Sequence, residues 1–398
     1  MGVFEKLFRY FPDIFFHKKK ILSILQKTAT PVFLADRCIL SDRYDRLERA
    51  LQDNWKNHQI AYSFKTNYDI ARSRIFQSQG SWAEVVSGKE YALAKKLGYA
   101  GHQIIFNGPY KTEDQLGQAF RDDALVHIDH KEEMEKVIAL SKAIKHRIRV
   151  GVRISMPIPH VARSRFGFFV ETGEALAAIQ KLKKTQNVDI KSVHAHIGTD
   201  IDTAASYAEA VSYMADFADT IMKETKKAIT FLDIGGGFPS HGEKPFSRIS
   251  WHPKRIEDYV QEIVGELKRH LVFKNIHLVV EPGRCLVDDG IIFVCRVMSV
   301  RRELGKQIIL TDATLTMLPL KWYRPQIIRV YSQHLDEKSG QEAKTVLYGA
   351  SCREDDLIFE GQLSSVVSGD YVTFFCVGAY NQSMASDFIF KKPATVFL

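Results

Sequence analysis

Eight short apolar runs that alternate with stretches of helical spacing constrain this chain more than any other feature. The runs lie near Ile60–Phe64, Trp82–Val86, Gln103–Phe106, Leu125–Ile128, Arg147–Ile154, Ser192–Ile197, Thr230–Ile234 and His277–Val280. Between them fall helix-like stretches such as Gly88–Lys96, Lys131–Ala143, Thr172–Lys184, Tyr207–Glu224 and Arg255–His270. Parallel strands need a long crossover, and a helix is the usual one. Eight strand–helix units predict an α/β fold, a (β/α)8 TIM barrel, with chemistry at the C-terminal ends of the strands.

After Gly283 the texture changes. Ile291–Arg301, Gln307–Leu310, Gln326–Tyr331, Thr345–Leu347, Tyr371–Cys376 and Thr395–Leu398 read as strands divided by turns, which predicts a second, mostly β domain. Val32–Ala35, entered through Pro31, is expected to join it. The expected division is 1–40 for an extension plus that strand, 41–285 for the barrel and 286–398 for the β domain. Ser41 to Asn54 reads as a helix capped by Ser41. Phe4, Leu7, Phe8, Phe11, Ile14 and Phe15 recur at helical spacing and predict an amphipathic helix that packs on the body or on a partner.

The length, 398 residues, suits two domains. Lys+Arg 55 against Asp+Glu 47 is a mild, dispersed excess that suits an anionic ligand and lacks the basic stripes of a nucleic-acid binder. Five widely spaced cysteines without a CxxC pair argue for a reducing compartment and against a disulfide frame or a metal site. No leader-type or membrane-length apolar run occurs, so a cytoplasmic protein is expected, with no membrane partner.

The strand ends carry many titratable groups. Gln59 to Phe64 delivers Lys65 to a turn begun by Asn67-Tyr68-Asp69. A lysine there is either a solvated end charge or an amine able to form a Schiff base with a carbonyl. Further ends hold Glu84, Asn107, Asp129, Arg153, His194, His196, Asp233 and Glu281. Gly235-Gly236-Gly237 is a plain turn or a backbone cradle for an anion. His194-Ala195-His196-Ile197-Gly198-Thr199 alternates, placing both histidines on one side of a strand. They are hydrogen-bonded lumen groups, or one stacks on a planar ring while Thr199 donates to a phosphate; metal ligation fits less well, because no carboxylates stand in a clear ligand pattern with them. Glu281-Pro282-Gly283-Arg284 is an ion pair, or a carboxylate for a pyridine nitrogen beside an arginine for phosphate.

Taken in order, the blocks YSFKTN, AEVVSGKE, HAHIGTDI, LDIGGGFP, EPGR, GASCREDD and GAYNQSMAS resemble those of the fold-type III pyridoxal-phosphate decarboxylases, the group of diaminopimelate, ornithine and arginine decarboxylases. The resemblance covers about Thr30 to the end. It implies an alanine racemase-like barrel, pyridoxal 5'-phosphate as cofactor and an amino-acid substrate. It also implies a homodimer whose active sites are shared across the interface. Lys65 would carry the internal aldimine, His196 stack on the ring and Glu281 pair with its nitrogen. Gly235, Gly236, Gly237, Thr199, Arg284 and Tyr380 would hold the phosphate. Glu84 stands where the family usually has an aspartate near the lysine. Cys352 would protonate the quinonoid carbon from a partner subunit, and Tyr380 would also border the substrate.

Two positions depart from that pattern. After Cys352 the family usually places a glutamate or aspartate that holds a distal ammonium, and here stands Arg353, followed by Glu354 and Asp355. Leu318-Pro319 stands where diaminopimelate enzymes have an arginine–proline pair, and Arg324-Pro325 comes later. A guanidinium grips a carboxylate and repels an amine. The expectation is therefore a decarboxylase whose substrate has an anionic or conjugated distal group, as in siderophore and natural-product pathways. Alternatives are diaminopimelate decarboxylase with Glu354 or Asp355 in the amine role, an amino-acid racemase, or a non-catalytic cofactor-binding paralogue.

Overall fold

The computed structural model describes residues 18–226, 228–240, 254–270, 275–324 and 326–398. The aromatic helix expected over Phe4–Phe15, and Pro325, lie outside these. The described residues form two compact units: one contains 43–226, 228–239, 254–270 and 275–284, the other 18–42, 240, 285–324 and 326–398.

The second unit begins with a helix, Lys18–Lys27, and strand β1 (Val32–Ala35). The barrel unit then contributes β2 (His58–Ser63), β3 (Trp82–Val85), β4 (Ile104–Phe106), β5 (Leu125–Ile128), β6 (Ile148–Ser155), the two-residue β7 (Phe168–Phe169), β8 (Val188–His194), β9 (Phe231–Asp233) and β10 (His277–Val280). Eight of these pair in parallel in the order β5-β4-β3-β2-β10-β9-β8-β6, and β6 pairs with β5 to close the barrel. β7 only extends β6. Strands covered on both faces read as continuous apolar runs, as in the fully buried Ile104–Phe106.

Helices Gly88–Lys96 and Lys131–Ala143 fall where expected, and their starts have physical causes. Ser87 and His130 cap them by accepting from the Glu90 and Glu133 backbone N–H, and Glu132 and Glu133 complement the positive end of the second. The helix expected from Ser41 begins earlier, at Arg37, because the Asp36 carboxylate accepts from the N–H groups of Cys38 and Ile39. β2 stops at Ser63, and Phe64–Thr66 turns as a 3-10 segment. β8 stops at His194, so His194 and His196 do not share a strand face.

In the other unit β1 pairs antiparallel with β11 (Ile291–Glu303) and parallel with β17 (Ala394–Phe397). The sheet continues through β12 (Lys306–Thr311), β13 (Ile327–Tyr331), β14 (Glu342–Tyr348), β15 (Leu357–Ser364) and β16 (Tyr371–Phe375) in the order β13-β16-β11-β12-β14-β15. Phe33, Phe293 and Phe374 anchor its core, with Phe33 and Phe293 centroids 4.8 Å apart. β15 was not expected; its Glu360-Gly361-Gln362 centre hides the alternation. Among the described residues no helix is long and apolar enough to cross a membrane.

Candidate active site

The C-terminal ends of the barrel strands gather the polar groups. Lys65 leaves the turn after β2, and its Nζ donates to Glu84 Oε2 at 2.7 Å and to Ser63 Oγ at 2.9 Å. Glu84, at the end of β3, is fully buried, while Lys65 remains about one-third open at 34%. Ser63 Oγ also donates to Glu84 Oε2, at 2.6 Å. The turn after β10 packs against the lysine turn: Ser63 N–H donates to Pro282 O, and a Cβ on Gly283 would stand 2.0 Å from Thr66 Oγ1. Only glycine fits there.

Asn107, just past β4, bridges two carboxylates. Its Nδ2 donates to Glu281 Oε1 at 2.6 Å and to Glu84 Oε1 at 3.1 Å. Its Oδ1 must then accept from His127 Nδ1, at 2.7 Å, which puts the His127 proton on Nδ1 and leaves Nε2 to accept from Ser192 Oγ at 2.8 Å. His127 stacks on His194 at 4.6 Å with planes 6° apart. His194 Nε2 lies 3.5 Å from Glu281 Oε2. Polar atoms of His127, His194, Asp233 and Glu281 lie within 4.8 Å of one another, all buried.

Burial pushes both His127 and His194 well below the usual imidazole range, and neighbouring cations push the same way. Burial, then Lys65 and Arg153, push His196 down to about 3, so its ring is neutral. Its Nδ1 accepts from Gly236 N–H at 3.1 Å. Asp233 is pushed well above its usual range by burial and by the Glu281 carboxylate beside it. Gly235 and Gly237 have φ of +69° and +96°, which favour glycine. A Cβ on Gly236 would stand 2.2 Å from Glu281 O, so this turn is bare backbone packed on the end of β10. Arg284 does not pair with Glu281. Its Nε faces Asp200 Oδ1 at 3.3 Å. Arg153 reaches Asp129 at 3.3 Å and lies over Phe166. Thr199 is exposed.

The remaining expected site residues lie in the other unit. Cys352, Arg353 and Glu354 sit exposed on the turn between β14 and β15. Asp356 shapes that turn, accepting from Leu315 N–H at 2.6 Å and Ser351 N–H at 3.0 Å. Arg353 is held by Asp355 through two hydrogen bonds, Nε at 2.9 Å and Nη2 at 2.5 Å. Tyr380 is half-buried with φ +65° at the start of helix Asn381–Met384. Arg324, read from sequence beside the second departure, is buried against Asp288 at 3.2 Å and Ser240 at 3.0 Å.

His127, Ser192 and Ser63 escaped the sequence reading. His127 was findable: flanked by Val126 and Ile128 in a strand apolar on both faces, it has to point into the lumen with the next polar group.

An amine paired with a carboxylate, a second carboxylate two side chains away, a bare glycine turn and a nearby arginine fit pyridoxal 5'-phosphate. Residues 40–288 match the family described as the pyridoxal-binding domain of pyridoxal-dependent decarboxylases. The chain is 25% identical over 401 residues to the diaminopimelate decarboxylase of Aquifex aeolicus, covering 97% of this chain and 90% of that one. It is 26% identical to that of Bacillus subtilis, covering 95% and 88%. Its fold matches diaminopimelate decarboxylase from Helicobacter pylori complexed with L-lysine, at a TM-score of 0.82 and 21% identity, over 94% of this chain and 93% of the other. It also matches lysine/ornithine decarboxylase from Vibrio vulnificus complexed with putrescine, at 0.80 and 23%, over 96% and 98%. The chain thus belongs to the pyridoxal-dependent decarboxylases, and its cofactor is pyridoxal 5'-phosphate.

Proposed function

We propose that this enzyme removes the α-carboxylate of a diamino acid of the diaminopimelate type, with Lys65 as the residue that carries the cofactor. The observation that carries this reading is the Lys65–Glu84–Asn107–Glu281 chain across neighbouring strands of the barrel mouth. The bound cofactor supplies the electron sink for the carbanion left when CO2 departs. Glu84 orients the Lys65 amine. Glu281, accepting from Asn107, offers its other oxygen to a ring N–H. The Gly235–Gly237 backbone and Arg284 receive a phosphate. Neutral His196 presents a flat face to a ring. A proton then replaces CO2 on the α-carbon, and Cys352 from a second copy of the chain is the proposed donor.

Two supports favour the diaminopimelate type over the acidic substrate expected from Arg353. The curated relatives named above carry that name over nearly the whole chain. Asp355 also already neutralises Arg353, which leaves Glu354 on the same turn for a distal ammonium. The acidic or conjugated substrate stays as the second reading, favoured by Arg353 itself and by Leu318 before Pro319.

The test is CO2 release by purified, cofactor-loaded protein, with Lys65→Ala as control. The panel sets meso-diaminopimelate, lysine, ornithine and arginine against amino acids with acidic or citryl distal groups. Turnover of meso-diaminopimelate supports the first reading. Turnover confined to acidic conjugates supports the second. Cofactor uptake without CO2 release from any of them overturns both.

A further inference from the structure

Glu84 and Glu281 are two buried carboxylates at one barrel mouth, 0% and 4% exposed, with buried Asp233 a neighbour of the second. Like charges this close repel, and a group between them that donates to both offsets the repulsion and fixes where each carboxylate points. The groups that face them are Lys65, Glu90, Arg153, His127, His194, His196 and Asp233. Of the two carboxylates Lys65 donates to Glu84, and Arg153 is turned to Asp129. The side chain that donates to both carboxylates is the neutral amide of Asn107, one N–H to each.

An amide can present either end. With Oδ1 toward the carboxylates it would repel both. His127 removes that choice, because its Nδ1–H claims Oδ1, and Ser192 fixes the His127 tautomer by donating to Nε2. His127 can do so because burial keeps it neutral.

We propose that Asn107 is a positioning residue that bridges the Glu84 and Glu281 carboxylates and keeps both correctly aimed, and that His127 and Ser192 lock its amide in the donating orientation. The assignment rests on the functional reading above. Glu84 is then aimed at the Lys65 amine, and Glu281 at the place of the cofactor's ring nitrogen.

The experiment measures pyridoxal 5'-phosphate affinity by equilibrium dialysis and the bound cofactor's absorption as a function of pH. It compares wild type, Asn107→Asp, Asn107→Ala, His127→Ala and the double variant Asn107→Ala/His127→Ala. Asn107→Asp has nearly the original shape and guards against simple loss of folding. Both Asn107 variants are expected to weaken cofactor affinity about tenfold or more. The aspartate variant should also make the absorption pH-dependent where wild type is steady, a change that loosened packing alone would not produce. The double variant should match Asn107→Ala, since His127 acts through Asn107. Borohydride reduction and mass spectrometry on wild type check cofactor attachment at Lys65. Wild-type attachment with unaltered Asn107 variants, or full additivity of the two alanine changes, overturns the assignment of Asn107. Absence of attachment in wild type overturns the functional reading itself, and this inference with it.

Discussion

The Lys65 ammonium and the Glu84 carboxylate meet at 2.7 Å, the lysine partly open and the glutamate fully enclosed. An enclosed carboxylate is costly unless its lone pairs are answered, and here Ser63, Lys65 and Asn107 all donate to it. Glu84→Gln keeps the shape and replaces the charge-assisted bond by a neutral one. Cofactor affinity is expected to fall about tenfold, with Glu84→Asp intermediate because its shorter reach keeps the charge and loses a partner. Equilibrium dialysis with pyridoxal 5'-phosphate checks both. Wild-type affinity in Glu84→Gln would remove the glutamate from the site.

Gly236 has no room for a side chain. Its Cβ would stand 2.2 Å from the Glu281 carbonyl, which is backbone and cannot swing away. Gly236→Ala should push apart the turns after β9 and β10, move Glu281 and cost about 1–3 kcal/mol of stability. Thermal unfolding should show the loss, and dialysis a matching drop in cofactor affinity.

In the β unit Asp356 answers two backbone N–H groups, those of Leu315 and Ser351, and is itself 3% exposed. Asp356→Ala leaves the buried Leu315 donor unanswered, at about 1–3 kcal/mol, and takes the partner from the half-buried Ser351 donor. The Cys352 turn should loosen before the sheet does. The readouts are a lower Tm and faster reaction of Cys352 with a thiol reagent, scored on the Cys352 peptide because Cys38 is exposed as well.

Local features were legible in the sequence and long-range pairings were not. The barrel strands and the helices Gly88–Lys96 and Lys131–Ala143 follow from periodicity and turn residues within a dozen positions. Asn107 could be placed at a strand end, yet its partners lie 20, 23 and 174 residues away, and only barrel closure brings them together. His194 and His196 looked equivalent by alternation. The strand ends between them, and one packs on His127 while the other accepts from Gly236. Arg284 could be paired with the glutamate three residues before it, but the turn aims it at Asp200 instead. β15 carries its polar residues on a strand edge of the sheet, where alternation has less to report.

Arg353 and Asp355 form an exposed pair, the kind that contributes little to stability. Arg353→Glu should therefore leave Tm unchanged and act only on substrate choice. Replacing a cation by an anion beside Cys352 should raise turnover of substrates with a distal ammonium relative to those with a distal carboxylate. The measurement is the ratio of kcat/KM for meso-diaminopimelate and for an acidic competitor. An unchanged ratio would mean that Arg353 does not contact substrate.

Glu90 gives a pH-dependent prediction. It lies in the first turn of helix Gly88–Lys96, 6% exposed, with Oε2 accepting from Val86 N–H at 2.8 Å. Burial, reinforced by Glu84, pushes its carboxyl up from 4.5 to about 7, against the pull of the Val86 bond, Lys65 and Lys89. With the folded value raised, the unfolded chain releases the proton first. The stability it contributes is complete below about 4.5 and is lost as pH rises to about 7, after which the loss is level. Glu90→Gln keeps an acceptor for Val86 and carries no charge. It should leave stability unchanged at the acidic end of that window and raise it by about 1–3 kcal/mol above neutral pH. Urea unfolding at the two ends decides the matter. A variant equally weakened at both would mean that the Glu90 charge is answered in the folded state.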